Sequence, residues 1–192
     1  GRFDLDPLDP AAMLIFMNGP FAGLRLSGAS RNSVAGCSPL TGHWGDSSCG
    51  GYFAPELRYC GLDGIVITGR TEKPSLLLVE DDRAQVLDAS DLWGMDAFKA
   101  EDEILARTDH KKAQACVIGP AGEKLVRFAC VNNNYWHQLG RGGSGAVYGS
   151  KNLKGIVWHG DTKVEVARPD DFKALVRDLV ERCKDDPGAA AY

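Results

Sequence analysis

Met13-Leu-Ile-Phe-Met-Asn-Gly19-Pro20-Phe-Ala-Gly23 decides the reading of this chain, because it comes back. About a hundred positions later, Gln114-Ala-Cys-Val-Ile-Gly119-Pro120-Ala-Gly122 has the same make: an apolar run, Gly-Pro, then glycine. Working outward, Gly50-Gly51-Tyr-Phe-Ala54 precedes Gly64-Ile65-Val66-Ile67-Thr68-Gly69. The match is Gly142-Gly143-Ser-Gly-Ala146 ahead of Gly155-Ile156-Val157-Trp158-His159-Gly160. The order is the same in both copies. Each copy then enters strand-like residues and a charged helix, Asp96–Arg107 in the first and Asp170–Cys183 in the second. These matches imply internal repeats over about residues 11–110 and 111–188. A duplicated unit folds about a pseudo-two-fold axis. Two equivalent glycine-rich turns then flank one central region, which suits a ligand that is itself two-fold or large.

The rest of the pattern reads as a β-rich α+β domain of two similar mixed-sheet halves. Met13–Met17 is a buried strand stopped by Asn18-Gly19-Pro20. Arg31–Ala35, Ile65–Thr68, Ser75–Glu80, Ala84–Leu87, Ala113–Ile118, Leu125–Val131, Ile156–His159 and Thr162–Val166 also read as strands. Pro55–Tyr59 is at most two turns of helix, and Ser90-Asp91 or Asp96 caps the next one. The last helix opens at Pro169-Asp170 and carries Phe172, Leu175, Val176, Leu179 and Val180 at i, i+3, i+4, i+7, i+8 spacing. Asp185-Asp-Pro-Gly188 ends it, and Ala189-Ala-Ala-Tyr192 reads as a cut edge.

Length and charge bound the function. The 192 residues make one large domain or two small ones and can bury a proper core. Lysine and arginine number 22 against 26 acidic residues, so no basic stripe exists for nucleic acid. The longest apolar runs are too short to span a bilayer, and the opening residues do not form a signal peptide. The six cysteines (Cys37, Cys49, Cys60, Cys116, Cys130 and Cys183) form no Cys-x-x-Cys pair, so buried free thiols in a reducing cytoplasm are expected.

Gly140-Arg141-Gly142-Gly143-Ser144-Gly145 fits G-x-G-x-x-G, with Glu165 twenty residues on. A dinucleotide site is nevertheless rejected. Polar residues 132–138 intervene before the glycines, and the next strand starts too soon for a crossover helix. Lys151 lies outside the P-loop frame as well. What remains is a glycine-rich loop entering a short helix near Ala146–Asn152, with exposed N–H groups for a phosphate or a flat polar ring. Gly50-Gly51 is the same device in the first copy. The alternative is that these glycines only serve tight turns.

Four motifs carry a family resemblance: Ser38-Pro-Leu-Thr-Gly42, Gly50-Gly-Tyr-Phe-Ala-Pro-Glu-Leu57, Gly119-Pro-Ala-Gly-Glu-Lys-Leu-Val-Arg-Phe-Ala129 and Gly140-Arg-Gly-Gly-Ser-Gly-Ala-Val-Tyr-Gly-Ser-Lys-Asn-Leu-Lys154. Together the chain resembles the amino-terminal domain of tungsten-containing aldehyde:ferredoxin oxidoreductases over essentially its whole length. The duplication and the resemblance favour a single cofactor-cradling domain over residues 1–192. The resemblance implies a β-rich saddle under a tungsten (or molybdenum) bis-pterin cofactor. It also implies an enzyme that oxidises aldehydes to carboxylic acids. Electrons then pass to ferredoxin through a [4Fe–4S] cluster held by C-terminal domains absent from this chain.

By the same resemblance, Arg31 contacts the pterin, and Ser48, Cys49 and Gly50 form a stretch at the cofactor. Ser48 stands where the family has asparagine. His137, Gln138 and Leu139 replace a longer His-Arg-Ala-Ala run ahead of Gly140, Arg141 and Gly142, which changes the contact at the second pterin. Cys49 reads as a core thiol and not a metal ligand, since in this family the pterin sulfurs hold the metal. No catalytic residue is expected here, so the isolated chain should not turn over. Its partners would be the missing domains or a companion subunit, and its uncovered apolar face would favour a homo-oligomer. Two other readings stand beside this one: a cofactor-free binding or assembly module that kept the fold, and the tungsten subunit of an aromatic acyl-CoA reductase.

Overall fold

The computed structural model describes residues 5–184 and 186–188, so the Ala189–Tyr192 tail lies outside the described residues. Four strands build the first sheet: β1 (Leu14–Asn18), β2 (Asn32–Cys37), β3 (Trp44–Cys49) and β4 (Gly64–Ile67), in the antiparallel order β3-β2-β1-β4. Helix α1 (Phe53–Tyr59) joins β3 to β4. Alternation sets the faces: Leu14 and Phe16 of β1 and Val34 of β2 go inward, while Met17 stays outside.

The second sheet is mixed. It holds β5 (Ser75–Glu80), β6 (Arg83–Asp88), β7 (Gln114–Val117), β8 (Val131–Asn133), β9 (His137–Leu139) and β10 (Leu153–His159), ordered β6-β5-β10-β7-β8-β9. Its one parallel pair is β5 with β10. Every residue of β10 is buried, as its central place between β5 and β7 requires. Helix α2 (Ala97–Ala106) follows β6 and is capped by Asp96, whose carboxylate accepts the Lys99 N–H at 3.0 Å. The short α3 (Pro120–Glu123) follows β7, and α4 (Ser144–Ser150) joins β9 to β10. The last helix is α5 (Pro169–Lys184).

The two sheets and two of the helices meet in an aromatic cluster. Phe16 of β1 sets its ring edge-on to Phe53 of α1, Tyr148 of α4 and Trp158 of β10, with centroids 5.9–6.2 Å apart. Trp158 lies against Phe53 at 3.6 Å and donates its indole N–H to the Phe53 carbonyl at 2.7 Å. All four rings are fully buried.

Several sequence expectations need correction. Residues 125–131 are not a strand. Pro120 at the first helical position starts α3, Leu125 turns the chain at φ +56°, and pairing begins only at Val131. Residues 162–166 stay irregular, because β5 and β7 already occupy both sides of β10. The glycine-motif boundary near residue 110 is not the boundary between the sheets: β5 and β6 were read with the first copy but belong to the second sheet. Within the sheets, the run β3-β2-β1-β4 has the same strand order as β9-β8-β7-β10, and each run carries a seven-residue helix before its last strand. The stripe of α5 faces no core, and no residue of that helix is buried.

Stability should therefore be uneven along the chain. Trp158→Ala is expected to lose about 3–5 kcal/mol in urea unfolding. Deleting residues from Pro169 onward should move the same measurement by no more than about 0.5 kcal/mol.

Candidate functional site

The sequence-selected residues come from two segments far apart in the chain, and the fold brings those segments together. β3 ends one sheet and β9 ends the other, and the turns that follow them cross. A side chain grown at Gly50 would come within 3.5 Å of the His137 ring, so the first turn lies on the β8–β9 hairpin. Tyr52 N–H donates to the Asn134 side-chain oxygen at 2.9 Å. In return the second turn lies on β3. Arg141 N–H donates to Ser47 Oγ at 3.2 Å, and a side chain at Gly45 would come within 3.5 Å of Gly142 Cα.

Buried polar groups hold the crossing. The Cys49 thiol donates to Asn32 Oδ1 at 3.1 Å and accepts from Asn133 Nδ2 at 2.9 Å, tying the two sheets together. Burial pushes this thiol above its ordinary range, against smaller opposing effects of Asn133 and Arg31, so it keeps the proton it donates. Asn32 Nδ2 and Asn133 Oδ1 are buried without a hydrogen-bond partner. The hairpin tip places Asn134 and Tyr135 at φ +43° and +58°, where residues other than glycine are strained. Glu101 of α2, fully buried, accepts the Tyr135 N–H at 3.1 Å and secures that tip. Burial raises its carboxyl, while bonds from the Tyr135 and Asn134 backbone pull it down.

Arg31, Ser48, His137, Gln138, Gly140 and Arg141 are exposed, and Gly50 and Gly142 are half-buried. Cys49 and Leu139 point the other way, into the core, so their side chains do not reach the face. An open cavity of about 480 Å³ lies beside the first turn, lined by Gly51, Tyr52, Glu56, Tyr59 and His137 among others. Among the described residues, no group of three or more His, Cys, Asp or Glu could hold a metal ion. Neither is any helix long and apolar enough to cross a membrane.

The anion site expected at Gly142–Gly145 needs narrowing. Gly145 N–H is taken by the Ala129 carbonyl at 2.9 Å and Ala146 N–H by Gly143 at 3.0 Å. All seven residues of α4 are buried. A side chain at Gly145 would sit 2.4 Å from the Cys130 carbonyl oxygen, and one at Gly149 only 2.0 Å from that of Gly122. These glycines serve close packing. Only Gly140–Gly142 faces outward. The lysines of the same motif are also structural. Lys151 Nζ donates to the Pro10, Ala12 and Gly69 carbonyls at 2.7–3.4 Å, and Lys154 pairs with buried Glu123 at 2.5 Å.

Sequence reasoning passed over Asn32, Asn133, Asn134 and Glu101. Glu101 left a signal, for it shares the buried stripe of Ala100 and Ile104 on α2. The free-thiol expectation holds for Cys49, Cys60 and Cys116, which are buried; Cys37 and Cys130 are half-buried and Cys183 is exposed.

Comparison with known proteins decides the family. The sequence pattern of the aldehyde ferredoxin oxidoreductase N-terminal domain matches residues 2–160. The chain belongs to this family. A tungsten-containing aldehyde ferredoxin oxidoreductase of Pyrococcus abyssi is 42% identical over 185 residues, covering 96% of the chain and 30% of the relative. The WOR-like subunit of an aliphatic sulfonate oxidoreductase from Pyrococcus furiosus is 30% identical over 91% of the chain and 30% of its own length. In solved form, the BamBC active-site complex of benzoyl coenzyme A reductase with 1,5-dienoyl-CoA superposes at a TM-score of 0.91 with 33% identity. That match covers 95% of this chain and 28% of the other. This member of the oxidoreductase family thus spans about 30% of the curated relatives it matches, and it corresponds to their N-terminal domain.

Two substitutions separate packing from surface roles. Cys49→Ala should lower unfolding stability by about 1–3 kcal/mol, because two buried asparagines lose their shared partner. Gly145→Ala should lose about 1–3 kcal/mol by overpacking, with little change on the exposed face. Urea titration followed by tryptophan fluorescence checks both.

Proposed function

We propose that the face where β3 and β9 meet cradles a tungsten (or molybdenum) bis-pterin cofactor. The parent enzyme would oxidise aldehydes to carboxylic acids and pass electrons to ferredoxin through a [4Fe–4S] cluster held outside this domain. The observation that carries the reading is the crossing of the two turns. It gathers Arg31, Ser48 and Gly50 with His137, Gln138, Gly140, Arg141 and Gly142 from opposite ends of the chain.

The residues present fit such a group. Two arginines offer planar forks of donors for phosphate or pterin acceptors. Exposed glycine backbone allows a flat ring to approach closely; nothing lies within 4 Å of a side chain grown at Gly140. Ser48 and Gln138 add neutral polar groups. Cys49 and Leu139 support the face from below and offer it only backbone. When bound, the metal–pterin group supplies the two-electron chemistry. The residues of this domain bind and orient it. The same strand order on either side suits a cofactor of two like halves, and we infer that the two runs of strands are copies of one unit.

A tungsten subunit of an aromatic acyl-CoA reductase is the second reading, and the close superposition on the benzoyl coenzyme A reductase complex favours it. That similarity leaves the cradle unchanged and alters only the substrate and a companion subunit. A cofactor-free module is the weaker alternative, since it gives no reason for the open turns and arginines to share one face. In every reading the protein works in the cytoplasm.

The test uses the full-length protein produced with tungstate and molybdate supplied. Metal analysis should find one of the two metals, and pterin should appear as its fluorescent oxidation product. Arg31→Ala should lower retained pterin about tenfold, equivalent to ~1.4 kcal/mol, with the unfolding midpoint unchanged. A folded protein without metal or pterin would sink the reading and leave the cofactor-free module.

A further inference from the structure

A line of titratable groups leads away from the crossing of the turns into the domain. The cavity beside the first turn is lined by Glu56 of α1 as well as by Tyr52 and His137. Glu56 is buried, and its Oε2 lies 3.4 Å from Nδ1 of His159, the last residue of β10, which is buried as well. The other ring nitrogen, Nε2, lies 3.8 Å from Oδ2 of Asp161, whose side chain is 82% exposed. Cavity, carboxyl, imidazole and surface carboxylate thus stand in series. Glu56 Oε2 and His159 Nδ1 are both buried without a hydrogen-bond partner among the described residues, so each is left to the other. Two open polar atoms in the interior cost stability, which a purely structural pair would recover by closing the bond.

Packing holds the series in place. The chain leaving β10 presses on the end of α1: a side chain grown at Gly160 would come within 2.1 Å of the Tyr59 backbone, and Thr162 N–H donates to the Tyr59 carbonyl at 2.9 Å. His110 stacks on His159 at 4.1 Å and is itself paired with Glu80 at 3.2 Å, so the face of the His159 ring is covered while its two nitrogens keep their carboxylates. Burial raises the Glu56 carboxyl above its ordinary range, against smaller opposing effects of the Gly160 N–H, His159 and Lys112. A carboxyl raised in this way takes up a proton more readily than one at the surface. The Cys60 thiol is pushed up to about 12, mainly by burial, with Asp81 and Glu56 adding to the effect. It donates to the His159 carbonyl at 3.2 Å and keeps its own proton. Asp81 Oδ1 accepts the Asp161 N–H at 3.2 Å and steadies the outer end.

We propose, resting on the cofactor reading above, that Glu56 and His159 relay protons from the cavity beside the candidate cofactor face to solvent at Asp161. The reaction of that reading is the source of the protons. An aldehyde and a water give a carboxylate, two electrons and three protons. Ferredoxin takes the electrons, and a face closed over by further polypeptide needs a separate way out for the protons. Glu56 binds a proton from the cavity on a carboxylate oxygen. It hands a proton to His159 Nδ1 as the imidazole releases its own from Nε2 to Asp161 or to the water around it. A half-turn of the ring restores the starting tautomer. Each passage moves one proton and no electron.

Two measurements test the relay. In the 192-residue chain, carbon-13 NMR follows the Glu56 carboxyl through a pH titration. Its midpoint should lie above the ordinary carboxylate range, and His159→Gln should raise it by about one pH unit more. A midpoint in the ordinary range, or one that ignores His159→Gln, would overturn the relay. In the full-length protein loaded with metal and pterin, a pH-indicator dye records proton release after mixing with aldehyde. Glu56→Gln and His159→Gln should slow that release at least about tenfold with metal and pterin content unchanged. Glu56→Asp, which keeps the acid but loses a methylene of packing, should restore most of the rate. Release at full rate from Glu56→Gln protein that retains its metal and pterin would end the proposal, and so would Glu56→Asp protein as slow as Glu56→Gln. A full-length protein that folds without metal or pterin would defeat the cofactor reading instead, and the titration of the 192-residue chain then decides the relay.

Discussion

The contact between Trp158 and Phe53 is the constraint on which the rest depends. It joins the central strand of one sheet to the helix that closes the other, by ring packing and by an indole N–H bonded to a helical carbonyl. Phe16 and Tyr148 lock around it, so all four rings leave water together. Such side chains are worth about 3–5 kcal/mol each against alanine, whereas one net hydrogen bond is worth about 1 kcal/mol. Packing therefore decides that the two sheets associate. The weaker polar bonds then decide how: Cys49 between Asn32 and Asn133, Ser47 to Arg141, and Asn134 to Tyr52 set the relative position of the two turns. A rigid aromatic junction behind and directional bonds in front give a face whose parts cannot slide independently.

Much of this was legible in the sequence where burial writes a strong period. The strand at Ser75–Glu80 and the helix from Pro169 fall where the pattern puts them, and β1 lies within a residue of its predicted start and end. β3, with the sequence Trp-Gly-Asp-Ser-Ser-Cys, and β9, His-Gln-Leu, were not legible. Their residues have little strand preference of their own, and what extends them is pairing with β2 and β8, which a local pattern does not encode. These are also the strands that build the candidate face. Sequence motifs are continuous stretches, but a strand alternates. Ser48 and Gln138 face out while Cys49 and Leu139 face in, so neither stretch contributes all of its side chains.

The glycine-rich motif shows how one run of sequence divides between two tasks. Up to Gly142 it is surface; from Gly143 it is core, with Gly145 and Gly149 in contact with passing backbone that any side chain would push away. Lys151 and Lys154 continue the division. Both look available for phosphate in the sequence, yet both are buried and their amines are spent on carbonyls or on Glu123. Burial lowers the Lys151 amine from its usual range, with Asp9 opposing the effect. Removing one partner of such a buried set would strand a charge, which costs more than the pair gains. Hence the motif's basic residues are fixed by the fold, and the positive charge left for a ligand is that of the exposed arginines.

Those arginines stand on an open face, which bears on how the domain works. A guanidinium in water holds an anion weakly; the same fork becomes strong when a neighbouring surface excludes solvent. Nothing in the described residues covers the crossing of the turns, and the stripe on α5 faces away from the core. The chain spans about 30% of its curated relatives, so in proteins of that length there is enough further polypeptide to close over the face. The division of labour then follows from physics. On the proposed reading, this domain would supply a preorganised floor, with its geometry fixed by buried contacts, and the covering polypeptide would supply the low dielectric in which the floor's donors bind.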